Sequence, residues 1–289
     1  MKTMPFLPSD AGLWAIETSA LARLMAAVRE VSAEIRKPEG AIDDFRGLPM
    51  EVSGSIAQIS LRGPMERRPS FVGSILGMAS TDLVRDAVKV AANDDSVKSI
   101  LLAVDSPGGS VDGLSELGDT VRQARDRKQV VAQVQGTAAS AAYYVAAQAD
   151  KIFAERTDLI GSIGTKATFV DSSEFMSESG VKVVTVDSGG LKSAGEDGTP
   201  ITDEQREYFQ GLVDFYYKDF LDAVAQGRRI SLVEAKALGT GEVWPAPQAL
   251  DLGLIDGIQS ADLTAQKLGM GRIRRSIQTA KAQLDLLTS

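Results

Sequence analysis

The sequence predicts an α/β fold with a mainly parallel sheet and helical extensions at both ends. From residue 52 onward, short apolar segments alternate with helical ones, a pattern typical of right-handed βαβ units. Hydrophobic residues make up 44% of the 289-residue chain, enough for a substantial core. No run of the chain approaches the roughly 20 apolar residues of a membrane span. We therefore expect a globular, cytoplasmic protein.

The chain divides into an N-terminal helical extension and linker at 1–48, a main domain at 49–260 and a helical tail at 261–289. Within the extension, a helix is predicted at 12–37 because apolar residues recur at spacings of three and four. These residues are Leu21, Leu24, Met25, Val28, Val31 and Ile35. Such a stripe is typical of a face that docks on the protein's own core or on a neighbouring subunit.

Apolar runs and their lengths locate the elements of the main domain. Strands are predicted at 54–61, 98–104, 129–135, 151–155 and 181–187. Helices are predicted at 80–93, 112–127, 138–149, 171–179, 203–226 and 231–238. The longest helix follows Thr202, a residue type that caps helices, and ends at Gly227. The alternation predicts that successive strands lie in one parallel sheet.

The composition excludes several classes of chemistry. The chain contains no cysteine and no histidine. A Ser-His-Asp triad, a Cys-His protease and a histidine-ligated zinc site are therefore impossible, and proton transfer near neutral pH must use Lys, Tyr, Asp or Glu. The net charge of −8 disfavours nucleic-acid binding. We interpret the basic residues Arg272, Arg274 and Arg275 as a solvated helix face.

Three of the predicted strands end in loops that carry chemically useful groups. The second strand is followed by Gly108 and Gly109, which allow a backbone to approach a ligand closely with its N–H groups turned outward. The third leads to Ser140, near the start of a helix whose first N–H groups are unpaired. The fifth is followed by Lys192. In a parallel sheet, the carboxyl ends of the strands are where ligands bind.

Taken singly, each of these residues has an ordinary structural explanation. The two glycines fit a tight turn, Ser140 fits a helix cap, and Lys192 fits a solvated surface charge. A catalytic lysine must be neutral to accept a proton, and burial among apolar groups favours the neutral form. The residues alone therefore leave a structural and a functional interpretation open.

Six motifs, in this order, resemble those of the signal-peptide-peptidase-type Ser/Lys proteases and their phage-encoded capsid-maturation relatives. They are Asp105-Ser-Pro-Gly-Gly109, Ala138-Ala-Ser-Ala-Ala-Tyr-Tyr144, Ala149-Asp-Lys-Ile-Phe-Ala154, Gly161-Ser-Ile-Gly164, Gly190-Leu-Lys192 and Ala249-Leu-Asp-Leu-Gly-Leu-Ile-Asp-Gly257. The resemblance covers roughly residues 52–260. It implies a ClpP/crotonase-like fold and a serine endopeptidase.

Carried over by position, the resemblance gives each loop a catalytic role. Ser140 matches the nucleophile and Lys192 the general base, and their spacing suits the family. The N–H groups of Gly109 and Ala141 match the oxyanion hole, and Ser162 matches the hydroxyl that orients the lysine. Such a Ser/Lys mechanism agrees with the absence of histidine.

The resemblance also implies a biological setting. A single-copy chain with an N-terminal extension looks most like the phage enzymes, which cleave scaffold and capsid proteins during head assembly. We accordingly expect protein substrates, a homo-oligomer, and a location in the host cytoplasm or procapsid, with no nucleic-acid partner, membrane span, metal or cofactor. The alternatives are a bacterial signal-peptide-peptidase-like protease that degrades peptides, a crotonase-like acyl-CoA enzyme, and a non-catalytic assembly module.

Overall fold

The computed structural model describes residues 14–16 and 47–269. The strands are Trp14–Ile16 (β1), Met50–Ser53 (β2), Ile56–Arg62 (β3), Met65–Glu66 (β4), Ala79–Ser80 (β5), Ser99–Ser106 (β6), Gly108–Ser110 (β7), Gln129–Ala139 (β8), Lys151–Ala154 (β9), Leu159–Gly161 (β10), Val243–Pro245 (β11) and Gly257–Ile258 (β12). The helices are Phe71–Ile75 (α1), Thr81–Asn93 (α2), Leu114–Arg125 (α3), Ala141–Ala146 (α4), Ser173–Glu178 (α5), Asp203–Arg228 (α6), Leu232–Leu238 (α7), Ala246–Asp251 (α8) and Ala261–Lys267 (α9).

The larger of two sheets is mainly parallel, as predicted. Its strands follow the order β11-β10-β8-β6-β3-β2, and the four central strands run parallel. The flanking strands β2 and β11 are antiparallel to their neighbours. The long strand β8 also pairs near its start with β9, which in turn pairs with β12. Because β6, β8 and β10 are parallel neighbours, their carboxyl ends meet at one edge of the sheet.

Helices α2, α3 and α4 cover one face of this sheet. The core on that face combines their apolar sides with alternate strand residues such as Ile59 and Leu102. The intervening residues Ile56, Leu101 and Val131 form a smaller cluster on the opposite face. Burial on both faces explains why these strands appear in the sequence as continuous apolar runs. Among the helices of residues 47–269, none is long and apolar enough to cross a membrane.

A smaller sheet, of order β1-β7-β4-β5, lies beside the end of β6. Its strand β7 contains Gly109 and has a partner on each side. Met65 of β4 pairs in parallel with Gly109, and β1 runs antiparallel along the other edge. Both edges of the glycine-containing strand are therefore occupied by backbone.

The predicted strand at 181–187 is wrong. This segment has no regular secondary structure and is largely exposed. An apolar run becomes a strand only where a neighbouring strand accepts its backbone hydrogen bonds, and the described part of this chain provides no such neighbour here. The exposed run ends five residues before Lys192.

The helix predicted at 12–37 is wrong for residues 14–16, which form strand β1. The free edge of β7 pairs with this stretch, and tertiary pairing outweighs local helical periodicity in so short a segment. The rest of that helix, with its apolar stripe, lies outside the described residues. So do the basic residues Arg272, Arg274 and Arg275 of the predicted tail.

The closing motif of the main domain has a structural role. Arg228, at the end of α6, donates to Asp256 at 2.8 Å, and the Ile152 N–H donates to the same carboxylate at 2.8 Å. Burial by itself raises the pKa of Asp256, but the bonds from Arg228 and the Ile152 N–H, with the charge of Arg228, leave that pKa below its ordinary value. The Arg228 side chain is almost fully buried. The ion pair thus ties α6 and the motif to β9.

We expect Arg228→Met to lower the free energy of unfolding at pH 7 by about 2 kcal/mol, because the carboxylate stays partly buried without its cation. The ionised Asp256 stabilises the fold above the ordinary carboxyl pKa of 3.8, and this contribution is lost as the pH falls through the lower folded pKa. The deficit of the variant should therefore shrink below about pH 4. Urea unfolding across pH measures both effects.

Arg122→Met is the matched control, because Arg122 pairs with Asp119 on the exposed side of α3. Its loss should stay below about 0.5 kcal/mol. Equal losses in the two variants would contradict a specific role for the pair between Arg228 and Asp256.

Candidate active site

Ser140 lies in a sharp turn between β8 and α4. The helix predicted at 138–149 begins only at Ala141, because β8 continues through Ala139. Ser140 has φ 53° and ψ −123°, a region that residues with a side chain rarely adopt. Ser140 occupies the N-cap position of α4, but its side chain makes no helix-capping bond, so capping does not account for the hydroxyl. A serine on a strained strand-to-helix turn is the geometry that exposes a nucleophile in other hydrolase folds.

The neighbouring strands hold this turn in place. The Ser140 N–H donates to the carbonyl oxygen of Gly161 at 2.7 Å, directly after the pair formed by Ala139 and Gly161. On the other side, the register between β6 and β8 shifts between Val104 and Ser106. Such bulges redirect a strand next to functional sites. Pairing on both sides thus extends β8 beyond its predicted end and fixes the backbone of Ser140.

The two predicted oxyanion donors lie on adjoining elements. Strand β7, which contains Gly109, packs against α4, which begins at Ala141. The first N–H groups of a helix have no partner within it, so the Ala141 N–H is a potential donor. At Gly109 a Cβ atom would lie 2.1 Å from the Met65 carbonyl oxygen, so only glycine fits there. The close approach of β4 therefore explains why the second position of the predicted Gly108-Gly109 turn is glycine.

Ser162 lies at the end of β10, beside the nucleophile turn. It is buried and has a positive φ of 52°, as Ser140 does. It directly follows Gly161, whose carbonyl accepts the Ser140 N–H, and its own N–H donates to the Glu242 carbonyl. The two serines therefore occupy equivalent positions at the ends of adjacent parallel strands. A serine in an ordinary surface turn would be exposed, so the burial of Ser162 argues against that interpretation.

Lys192 is not brought to Ser140. It lies in an exposed turn, where its backbone N–H donates to the Gly189 carbonyl at 2.9 Å. Within residues 47–269, no hydrogen bond joins Lys192 to Ser140. The structure thus brings Ser140, Gly109, Ala141 and Ser162 to one end of the sheet, and it leaves Lys192 exposed.

The two tyrosines after Ser140 are unsuited to act as bases. Tyr143 is fully buried and its hydroxyl donates to the Leu254 carbonyl at 2.9 Å. Tyr144 donates to Asp219 at 3.1 Å. Burial raises the pKa of both hydroxyls, and the Asp219 carboxylate raises that of Tyr144 further. Both tyrosines therefore remain protonated and serve as fixed hydrogen-bond donors.

A small cavity that the sequence did not predict lies beside the nucleophile helix. Its volume is about 30 Å³. It is lined by Val111, Leu114, Ser115, Tyr144, Thr165, Tyr216, Asp219 and Phe220. These residues follow β7, lie on α3, α4 and α6, or follow β10, and only the folded chain brings them together. A cavity of this volume holds a group no larger than a few water molecules.

The chain matches the sequence models of two known protein families. The sequence model of peptidase family S49 matches residues 122–271, slightly more than half of the chain. The model of the Clp protease family matches residues 65–159. The first match contains Ser140, Ser162 and Lys192, and the second contains Gly109 and Ser140. Of the candidate site, only Ser140 and Ala141 lie within both matches.

Individual relatives include proteins of archaea, bacteria and phages. A Methanocaldococcus jannaschii protein named as a protease is 35% identical over 61% of this chain and 56% of its own length. Protease 4 of Haemophilus influenzae is 28% identical over 65% of this chain and 31% of its own. Capsid assembly protease C of phage lambda is 25% identical over 79% of this chain and 54% of its own. The chain thus spans about a third to somewhat more than half of these relatives.

We expect Ser140→Gly to be more stable than Ser140→Ala by about 1 kcal/mol, because glycine adopts a positive φ without strain. Both variants lack the hydroxyl, and only the alanine variant keeps the strained backbone. Urea unfolding of the two variants measures the difference.

Ser115, on the exposed side of α3, provides the matched pair. There Ser115→Gly should be less stable than Ser115→Ala by about 0.5–1 kcal/mol, the ordinary order within a helix. The same order at position 140 would argue against a strained turn at the nucleophile.

Proposed function

The chain belongs to peptidase family S49, and we propose that it is a serine endopeptidase in which Ser140 is the nucleophile and Lys192 is the general base. The observation that carries the proposal is the buried, strained Ser140 turn, which directly precedes Ala141 at the start of a helix that packs against the strand containing Gly109. The absence of histidine leaves lysine as the residue type best suited to accept the proton.

The proposed reaction passes through an acyl-enzyme. Neutral Lys192 accepts the proton of the Ser140 hydroxyl while the oxygen attacks the scissile carbonyl. The N–H groups of Gly109 and Ala141 stabilise the negative oxygen of the tetrahedral intermediate. Collapse breaks the peptide bond, and the leaving amine takes the proton from Lys192. Water then attacks the ester by the same route, which releases the acid product and regenerates Ser140.

In this mechanism Lys192 must move from solvent to Ser140, and we propose that assembly into a homo-oligomer causes the move. The segment before it, residues 170–187, exposes several large apolar side chains. They are Val170, Phe175, Val181, Val184 and Val186. Contiguous exposed apolar side chains mark interaction surfaces. Burial of this segment against another copy would dehydrate the Lys192 loop and favour the neutral amine.

The biological role we propose is head maturation in a phage or prophage. The similarity to capsid assembly protease C of phage lambda extends over 79% of the chain. A head-tail preconnector protein of phage P21 is also similar, with 28% identity over 73% of the chain. The substrates would be scaffold and capsid proteins, in the host cytoplasm or in the procapsid.

We expect Ser140→Ala and Lys192→Arg each to lower kcat/KM at least a thousandfold while folding is retained. The first variant lacks the nucleophile, and the guanidinium of the second cannot act as a base. Mass spectrometry of cleavage products, with a scaffold protein from the same genome and with casein as substrates, measures the effect.

Lys182→Arg is the matched control, because Lys182 is an exposed lysine of the same segment. It should retain activity. Substantial turnover by Lys192→Arg would exclude Lys192 as the base. Cleavage of casein at least as fast as the scaffold protein would favour a peptide-degrading role over head maturation.

We expect light scattering at micromolar concentration to give a multiple of the single-chain mass. Val186→Lys should lower both this mass and peptidase activity, because Val186 is 96% exposed in the single chain and lies in the proposed interface. Val233→Lys, at an 80% exposed position on α7, is the control and should leave both unchanged. A single-chain mass for the wild-type protein would contradict assembly.

A further inference from the structure

Strand β1 lies directly beside the strand that contains the proposed oxyanion donor. The antiparallel ladder pairs Trp14 with Ser110, Ala15 with Gly109, and Ile16 with Gly108. A segment from the start of the chain therefore runs past Gly109 in an extended conformation. Nothing in the proposed mechanism requires this segment.

The opposite edge of β7 is closed to any ligand. Strand β4 pairs with it there, and the Gly109 backbone is so close to Met65 that not even a methyl group would fit between them. The edge on which β1 lies is therefore the edge through which β7 can bind an extended peptide.

An extended peptide on that edge would be well placed for cleavage. Strand β7 packs against α4, whose first residue follows Ser140. An endopeptidase must align the scissile carbonyl with its nucleophile and its oxyanion donors. Adding the substrate as a strand to a sheet edge achieves this through main-chain hydrogen bonds, largely independent of sequence. The position that a substrate strand needs is the one that β1 occupies.

We propose that Trp14–Ile16 is an internal occupant of the substrate-strand position, and that a protein substrate binds by displacing it. The inference rests on the proposed peptidase function. The ladder spans three residues on each strand. Such a short pairing supplies few hydrogen bonds, so a longer substrate strand can replace it. Substrate can bind only to molecules in which β1 has left the edge. The apparent affinity for substrate is therefore the affinity of the open form multiplied by the fraction of molecules in which the edge is open.

Substitutions in the full-length chain test the competition. The variant W14P/A15P/I16P removes all three backbone N–H groups of β1, whichever of them face β7. We expect its KM for a peptide substrate to fall about tenfold with kcat unchanged, because only the occupancy of the edge changes. The control W14A/I16A removes the two large side chains and keeps every N–H group, and its KM should change much less. An unchanged KM in the triple-proline variant would overturn the proposal.

A binding measurement separates this inference from the proposed chemistry. The probe is a fluorescent synthetic peptide with the sequence of residues 10–20, and the proteins carry Ser140→Ala so that no hydrolysis occurs. By anisotropy, the probe should bind the triple-proline protein at least tenfold more tightly than the protein with intact β1. Equal binding to the two proteins, or binding to neither, would overturn the proposal. Tighter binding in the absence of any peptidase activity in the parent chain would instead refute the proposed function and leave the occupancy of the edge established.

Discussion

The hydrogen bond from the Ser140 N–H to the Gly161 carbonyl is the interaction on which the candidate site depends. It closes the end of β8 onto β10 and holds Ser140 at a positive φ. Helix α4 therefore starts at Ala141, at the same sheet edge. The parallel arrangement makes this possible, since adjacent parallel strands end on the same side of the sheet. The backbone strain at Ser140, of the order of 1–3 kcal/mol, is balanced by the apolar core beneath α4.

The two halves of the proposed dyad differ sharply in their surroundings. Ser140 is 1% exposed and fixed by backbone bonds on both sides, whereas Lys192 lies in solvent. A protease without histidine must use a base that is charged in water and neutral only when it is dehydrated. Burial of the lysine is then a condition for catalytic activity, in addition to the binding of substrate. On the proposed mechanism, a single chain has a preformed nucleophile but lacks a competent base.

The sequence predicted the parts of the fold that local pattern determines. The apolar runs of β3, β6 and β8 stand out because both faces of the sheet are covered, and the motifs carried Ser140, Gly109 and Ala141 to one edge. Three segments could not be predicted, because partners distant in sequence decide their conformation. Residues 137–139 extend β8 through pairing with β6 and β10, and residues 14–16 become a strand through pairing with β7. Residues 181–187 stay irregular because the described part of the chain offers them no partner strand. The side-chain position of Lys192 depends on that last segment.

If the proposed function holds, strand β1 and the Lys192 loop impose two independent restraints on the same reaction. The first acts on substrate binding, since β1 occupies the only edge through which β7 can receive a strand, as far as the described residues go. The second acts on the chemical step, since within the described residues no hydrogen bond joins the exposed Lys192 to Ser140. A high local concentration of substrate favours displacement of β1, which is held by a ladder of only three residues. A high local concentration of protease favours burial of the apolar segment 170–187 against another copy. In the proposed role, an assembling phage head would supply both concentrations at one place. The two restraints therefore favour cleavage inside such an assembly over cleavage by a dispersed single chain.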